Sequence, residues 1–147
     1  MPGMQTLHAE RLWTPDGWHS DAGFTHDGGR IVECERAQPS EGTAWVVPGI
    51  ANLHSHAFQR AMAGLAERQT NREDSFWTWR ETMYRFAARF DPDTLHAVAA
   101  QLYAEMLEAG YTTVCEFHYL HHAPDGRPYG DPAAMSDADL AHLDDAT

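Results

Sequence analysis

Two short runs that favour extended backbone, 50–56 and 111–117, enclose a stretch of helical periodicity, and that order constrains the chain more than any other feature. The first run, Ile50-Ala51-Asn52-Leu53-His54-Ser55-His56, is apolar with polar groups at its end, and reads as a buried strand whose last residues leave the core. Pro48 just ahead of it lacks an amide hydrogen and suits the entry to a strand. The second run carries threonine, valine, cysteine and aromatic residues, which favour β structure. Between them Phe76, Trp79, Met83, Phe86 and Phe90 recur every three or four residues, which predicts a helix over 76–90. Asp91 can accept orphan amide hydrogens and Pro92 fits a first helical turn, so a second helix is expected over 92–109. Leu95, Val98, Leu102 and Met106 line one side of it, and Gly110 suits a left-handed stop. Alanine-rich 57–69 is expected to be partly helical, and 71–75 reads as a polar break. Strand, helices and strand make a β-α-β unit with an enlarged crossover, which forces the two strands to be parallel. Parallel sheets are covered by helices and usually hold four or more strands. The pattern therefore reads as the beginning of a larger α/β protein.

Residues 1–48 have a different texture. Asp16-Gly17 and Asp27-Gly28-Gly29 are turn signals, because glycine takes positive φ cheaply. Charged residues interrupt the apolar positions, as in hairpins with one wet face, so 1–48 is expected to form a small β-rich domain and 49–147 the β-α-β portion. The tail, 121–147, is polar, with Pro124-Asp125-Gly126, Pro128 and Pro132. Ser136 is expected to cap a short helix containing Leu140 and Leu143, with Asp137 and Asp139 near its positive end.

Composition limits the partners. The 147 residues include 10 basic and 22 acidic ones, a formal charge of −12 with histidine neutral. Such a chain repels phosphate backbones and anionic lipid heads, which argues against a nucleic-acid or membrane-surface binder. No run is long and apolar enough to span a bilayer, and the amino terminus does not read as a signal peptide. Cys34 and Cys115 could form at most one bridge; reduced thiols in a cytoplasmic protein are the simpler expectation, with Cys115 buried. Ten histidines and five tryptophans suit a metal or small-molecule enzyme better than a scaffold.

The chemistry concentrates at His54 and His56. A strand's two-residue period places both imidazoles on one face, about 7 Å of backbone apart, where both can lean onto one ion. Neutral imidazole is a good ligand for Zn2+ or Fe2+. An isolated pair of this kind could also be satisfied by backbone groups, but the preceding PGxxN and the Ala57-Phe58-Gln59-Arg60 continuation favour ligation. Catalytic zinc normally has three protein ligands, and His118, His121, His122 and Glu116 are the further candidates within the chain.

Three segments, VVPGIANLHSHAFQRAMAGLAE, DSFWTWRETMYR and AAQLYAEMLEAGYTTVCEFHYLHH, closely resemble the formimidoylglutamate deiminases of the amidohydrolase superfamily. LWTPDGW and GGRIV are similar to the small domain that precedes the family's barrel. The resemblance implies a (β/α)8 barrel with a mononuclear Zn2+ at its C-terminal mouth, normally a cytoplasmic homodimer. His54 and His56 would be its first-strand ligands, and Gln59, Tyr119 and, less directly, Arg80 match substrate-binding positions. It further implies hydrolysis of N-formimino-L-glutamate to N-formyl-L-glutamate and ammonia. The family's remaining ligands and its proton-transferring glutamate come from later strands, so Glu116 is assigned no catalytic role.

Each carried-over residue has a competing structural role. Gln59 could cap the following helix, Tyr119 could simply pack, and Arg80 could be an outward arginine on an amphipathic helix. Chemically, an amide can orient a polar substrate, a phenol can donate to a carboxylate, and a guanidinium can grip a carboxylate through two parallel hydrogen bonds. The chain contains the first two expected barrel strands and SDADLAHLDDAT departs from the family's continuation, so a truncated, inactive portion of the enzyme is expected. The alternatives are a superfamily deaminase acting on a purine or pyrimidine, and a noncatalytic metal-binding or oligomerising fragment.

Overall fold

The computed structural model describes residues 3–36, 44–65 and 76–141. The chain divides into two compact units, 1–49 and 50–147.

In the first unit β1 (Gln5–Thr14), β2 (Gly17–Asp27), β3 (Arg30–Arg36) and β4 (Trp45–Val46) form one sheet in the order β3-β2-β1-β4. The β1–β2 and β2–β3 pairs are antiparallel hairpins, whereas β4 joins β1 in parallel. Gly28 and Gly29 sit at φ 52° and 78°, the successive positive angles that a two-residue hairpin turn of right-handed twist requires. Ala9, Leu12 and Ala22 form its buried hydrophobic cluster, with Phe24 and Val46 packed against them. Small side chains at Ala9 and Ala22, paired across the two strands, keep this core thin.

The second unit carries the β-α-β pattern. β5 (Ile50–Ser55) lies parallel to β6 (Tyr111–Glu116), with Asn52 opposite Val114 and Ser55 opposite Glu116. A 3-10 helix, Ala57–Met62, follows β5, then α1 (Phe76–Ala87) and α2 (Pro92–Glu108); α3 (Ala134–Leu140) comes after β6. The start of α2 is set by Asp91, whose Oδ1 accepts the Thr94 amide hydrogen at 2.8 Å, and by Pro92 in the first turn. Its end is set by Gly110 at φ 88°. Phe58, Met62, Met83, Phe90, Leu95, Leu120 and Met135 form the main core, and Ala57, Ala99 and Tyr103 a second one. The apolar side of α2 serves both: Leu95 and Val98 pack in the first, Leu102 and Met106 against the second.

Several expectations need correcting. β5 is not a buried strand, since Ser55 alone is buried and Leu53 is 74% exposed. It has one strand partner in an unclosed two-stranded sheet, so the cover that makes parallel strands interior is missing on much of its surface. Cys115 on β6 is exposed for the same reason. Ser136 does not cap the last helix: it lies inside α3, where its hydroxyl donates to the Ala133 carbonyl at 2.9 Å. Asp139, expected near the positive end, is instead buried. The expected features at 66–69, 71–75 and Leu143 fall outside the described residues. The fold is mixed α/β, an incomplete stretch of a (β/α)8 barrel preceded by a β-sheet region.

Candidate metal and substrate site

β5 ends at Ser55, so His54 belongs to the strand and His56 lies one residue past it. Their rings converge, with Nε2 of His54 2.9 Å from Nε2 of His56. Local hydrogen bonds explain the approach. The His54 amide hydrogen is donated to Oδ1 of Asn52 at 3.2 Å, and the Asn52 amide group points to the sulfur of Met106 at 3.8 Å. His56 is held from just past the neighbouring strand, where its Nδ1 lies 2.8 Å from the Phe117 carbonyl oxygen. A carbonyl only accepts, so Nδ1 carries the proton and the Nε2 lone pair faces His54, where it accepts from that ring's Nε2 and is the one that can bind a cation.

The chain beyond β6 closes around this imidazole. The Phe117 amide donates to the Ser55 carbonyl at 2.8 Å, tying the two strand ends together. The Tyr119 ring stacks on His56 with centroids 4.4 Å apart and planes inclined by 20°. Glu116 accepts the Ala57 amide hydrogen through Oε1 at 2.7 Å, while its buried Oε2 has no partner among the described residues. That contact ties the start of the 3-10 helix to the end of β6.

The donor set fits a zinc-type ion. Imidazole nitrogens ligate Zn2+ at about 2.0–2.1 Å, so two nitrogens 2.9 Å apart can both reach one centre. Among the described residues no third histidine, cysteine, aspartate or glutamate joins them.

Beside the pair lies a cavity of about 710 Å³, lined by Phe58, Trp79, Arg80, Met83, Tyr84 and Tyr119 among others. Tyr119 therefore links the imidazoles to the cavity wall. Arg80 donates to the Tyr84 hydroxyl from Nη2 at 3.0 Å and lies over the Trp77 and Tyr84 rings, at 5.6 and 5.1 Å from their centroids. Stacked in this way, the guanidinium is held without losing all its donors. Gln59, on the 3-10 helix, directs its amide to the sulfur of Met83 at 3.6 Å rather than capping a helix.

His118 does not face the imidazole pair. Its Nδ1 bonds Oδ2 of Asp139 at 3.0 Å and its Nε2 the Leu120 carbonyl, while Tyr103 donates to Oδ1 of Asp139 at 3.4 Å. Both ring nitrogens thus face acceptors, an arrangement only the protonated imidazole satisfies. Burial pulls the His118 pKa down, but the Asp139 bond, the Leu120 carbonyl and the nearby carboxylates outweigh it and leave the pKa raised. Burial, then the charges of Asp139 and Glu116, push the Tyr103 phenol up. His121 and His122 line the cavity, and the His121 ring lies edge-on to His118 at 5.2 Å. Sequence reasoning missed Asp139. One signal was available: Asp139 falls four residues after Met135, so a short helix puts both on one face, and Met135 is apolar.

Family and fold match the metal-dependent amidohydrolase class of enzyme. The chain belongs to the amidohydrolase family, which it matches over residues 45–142. It is similar to formimidoylglutamate deiminase of Pseudomonas aeruginosa, 51% identical over 138 residues that cover 90% of this chain and 30% of that protein. It is 31% identical over 122 residues to 8-oxoguanine deaminase of the same organism, covering 74% of this chain and 26% of that one. Among solved structures, an amidohydrolase from Brucella melitensis superimposes with a TM-score of 0.85 at 46% identity, covering 97% of this chain and 33% of its own. A triazine hydrolase from Arthrobacter aurescens, at a TM-score of 0.76 and 23% identity, shares the fold. The chain spans about a third of the length of these proteins.

Proposed function

We propose that this chain carries two ligands of the metal site, and part of the substrate pocket, of a zinc-dependent deiminase that hydrolyses N-formimino-L-glutamate to N-formyl-L-glutamate and ammonia. The observation that carries the reading is the convergence of two imidazole Nε2 atoms at 2.9 Å, one of them with its Nδ1 committed to a backbone carbonyl. Similarity to formimidoylglutamate deiminase supports the choice of substrate.

His54 and His56 hold the ion. Zn2+ bound there supplies a nucleophile at ordinary pH, by lowering the pKa of a water in its shell to about 7. The chain's own residues do the rest of the work assigned to them. The Phe117 carbonyl keeps His56 in its ligating tautomer, and Tyr119 fixes the plane of that ring. Arg80 offers the cavity a fixed positive charge, which a substrate with two carboxylates needs inside a chain of net charge −12. Gln59 is placed one residue from Phe58 of the cavity wall, where its amide orients the substrate once released from Met83. The two imidazoles are two of the three protein ligands that catalytic zinc ordinarily takes, so the reading requires a third from outside the described residues. It therefore assigns metal and substrate binding, and not turnover, to the chain assayed alone. Homodimerisation of the complete enzyme belongs to the same reading. So does a cytoplasmic location, which two exposed cysteines outside any disulfide support. Among the described residues no helix is long and apolar enough to cross a membrane.

Titration of the chain with Co2+, followed by its visible absorption, tests the metal site. Binding is expected in the wild type and its loss in both His54→Ala and His56→Ala; unchanged binding in either variant defeats the assignment. Calorimetry with N-formimino-L-glutamate tests the pocket, with Arg80→Ala expected to weaken binding at least tenfold. The aromatic lining and the likeness to 8-oxoguanine deaminase favour a ring substrate as the second reading. Tighter binding of guanine than of N-formimino-L-glutamate would establish it.

A further inference from the structure

We propose that the buried pair His118–Asp139 is a positioning device for the metal ligand His56, an inference that rests on the metal reading of His54 and His56. The three consecutive residues after β6 divide their work. Phe117 supplies the carbonyl that accepts the His56 Nδ1 proton at 2.8 Å, and Tyr119 supplies the ring stacked on His56 at 4.4 Å. Neither residue is held by burial, for Phe117 is 60% and Tyr119 44% exposed. The Phe117 amide is tied to the Ser55 carbonyl, and the residue between Phe117 and Tyr119 is anchored through its side chain. His118 bonds Asp139 on α3 through one nitrogen and the Leu120 carbonyl through the other, with 14% of its side chain exposed. Asp139 is 2% exposed and its second oxygen takes the Tyr103 hydroxyl of α2.

A buried carboxylate is costly unless every oxygen is engaged, and here both are. One residue of backbone on either side joins this anchor to the two groups that touch His56. Fixing the His118 ring therefore fixes the direction of the Phe117 carbonyl and the height of the Tyr119 ring, and these two set the tautomer and plane of His56. Groups that orient a ligating histidine typically change metal affinity 10–100-fold when removed. Asp139 acts one link further out, so an effect on the order of tenfold is expected.

The test uses the 147-residue chain with 15N-labelled histidine. In the wild type the His56 Nδ1 proton is expected to give a protected NMR signal. Asp139→Ala is expected to broaden that signal by exchange with solvent and to weaken Co2+ binding about tenfold. Asp139→Asn keeps one acceptor oxygen for the His118 Nδ1 proton and turns its NH2 towards the Tyr103 oxygen, which can accept, and is expected to restore part of both. Asp91→Ala removes the cap of α2 without touching the turn, and is expected to lower stability while leaving the His56 signal and the Co2+ affinity unchanged. Should Asp139→Ala not fold, His118→Gln carries the same expectations. An unaltered His56 signal together with unaltered Co2+ affinity in the variant overturns the proposal, as does an equal loss in Asp91→Ala. A wild-type chain that binds no Co2+ defeats the metal reading instead, and the exchange measurement alone then decides the role of the pair.

Discussion

His118 shows how far a side chain's chemistry depends on what faces it. As one of ten histidines it is a plausible ligand, yet in the structure it is an anchor, because Asp139 and the Leu120 carbonyl take both of its nitrogens. The titratable groups around it are Asp139 on α3, Tyr103 on α2, Glu116 on β6 and the neighbouring His121. Its folded pKa is raised above the ordinary 6.5. The stability it contributes is therefore fully present below the unfolded pKa and lost as pH rises through the folded one. Urea unfolding at a series of pH values is expected to show the chain losing stability from pH 6.5 upward, with a smaller slope in Asp139→Asn. An identical slope in the two proteins would show that the pair does not titrate with folding. His54 and His56 were legible at this scale, since a two-residue spacing at the end of an apolar run leaves few other geometries. For Asp139 the one local signal was its place four residues after apolar Met135; its partner lies in another segment, which no local pattern names.

At the level of elements, local signals carried most of the information. Asp91, Pro92 and Gly110 act within one turn of their own position, and α2 begins and ends beside them. Gly110→Ala isolates one of these effects. A methyl group there meets nothing within 4 Å, so the cost is backbone strain at φ 88° alone. A loss of about 1–2 kcal/mol is expected in urea unfolding. A second prediction concerns the tie between the 3-10 helix and α2. Arg60 donates to both oxygens of Glu105 at 2.7 Å, and Gln101 donates to the same carboxylate at 2.9 Å. These bonds lower the Glu105 pKa to about 2. A depressed carboxylate pKa contributes stability that is present above the unfolded value of 4.5 and is lost as pH falls towards 2. Glu105→Gln is therefore expected to flatten the acid limb of stability between those values, with little change in the slope near pH 7. α1 ends three residues and β6 one residue short of the periodic pattern; beyond α1 the Arg89 and Phe90 amides donate to carbonyls three residues back instead of four.

Over the whole molecule, pattern and packing diverge most. The second unit leaves Ile50, Leu53 and Phe117 on its surface, and its two-stranded sheet is unclosed. Exposed apolar groups beside unpaired strand edges favour association. Sedimentation of the purified chain is expected to show concentration-dependent self-association, reduced in Leu53→Lys; a monomer at all concentrations in the wild type would contradict this. By itself the sequence determined the order of strands and helices, the parallel crossover, the hairpin turns and the paired imidazoles. Each of these follows from residues close together in the chain, where side-chain period and backbone angles leave little freedom. Tertiary structure alone decided which strands are covered, that His118 pairs with Asp139, and that Tyr119 and Arg80 line one cavity. Those outcomes depend on contacts between distant segments, whose energies are set by burial and by the partners each polar group finds, and no local pattern encodes either.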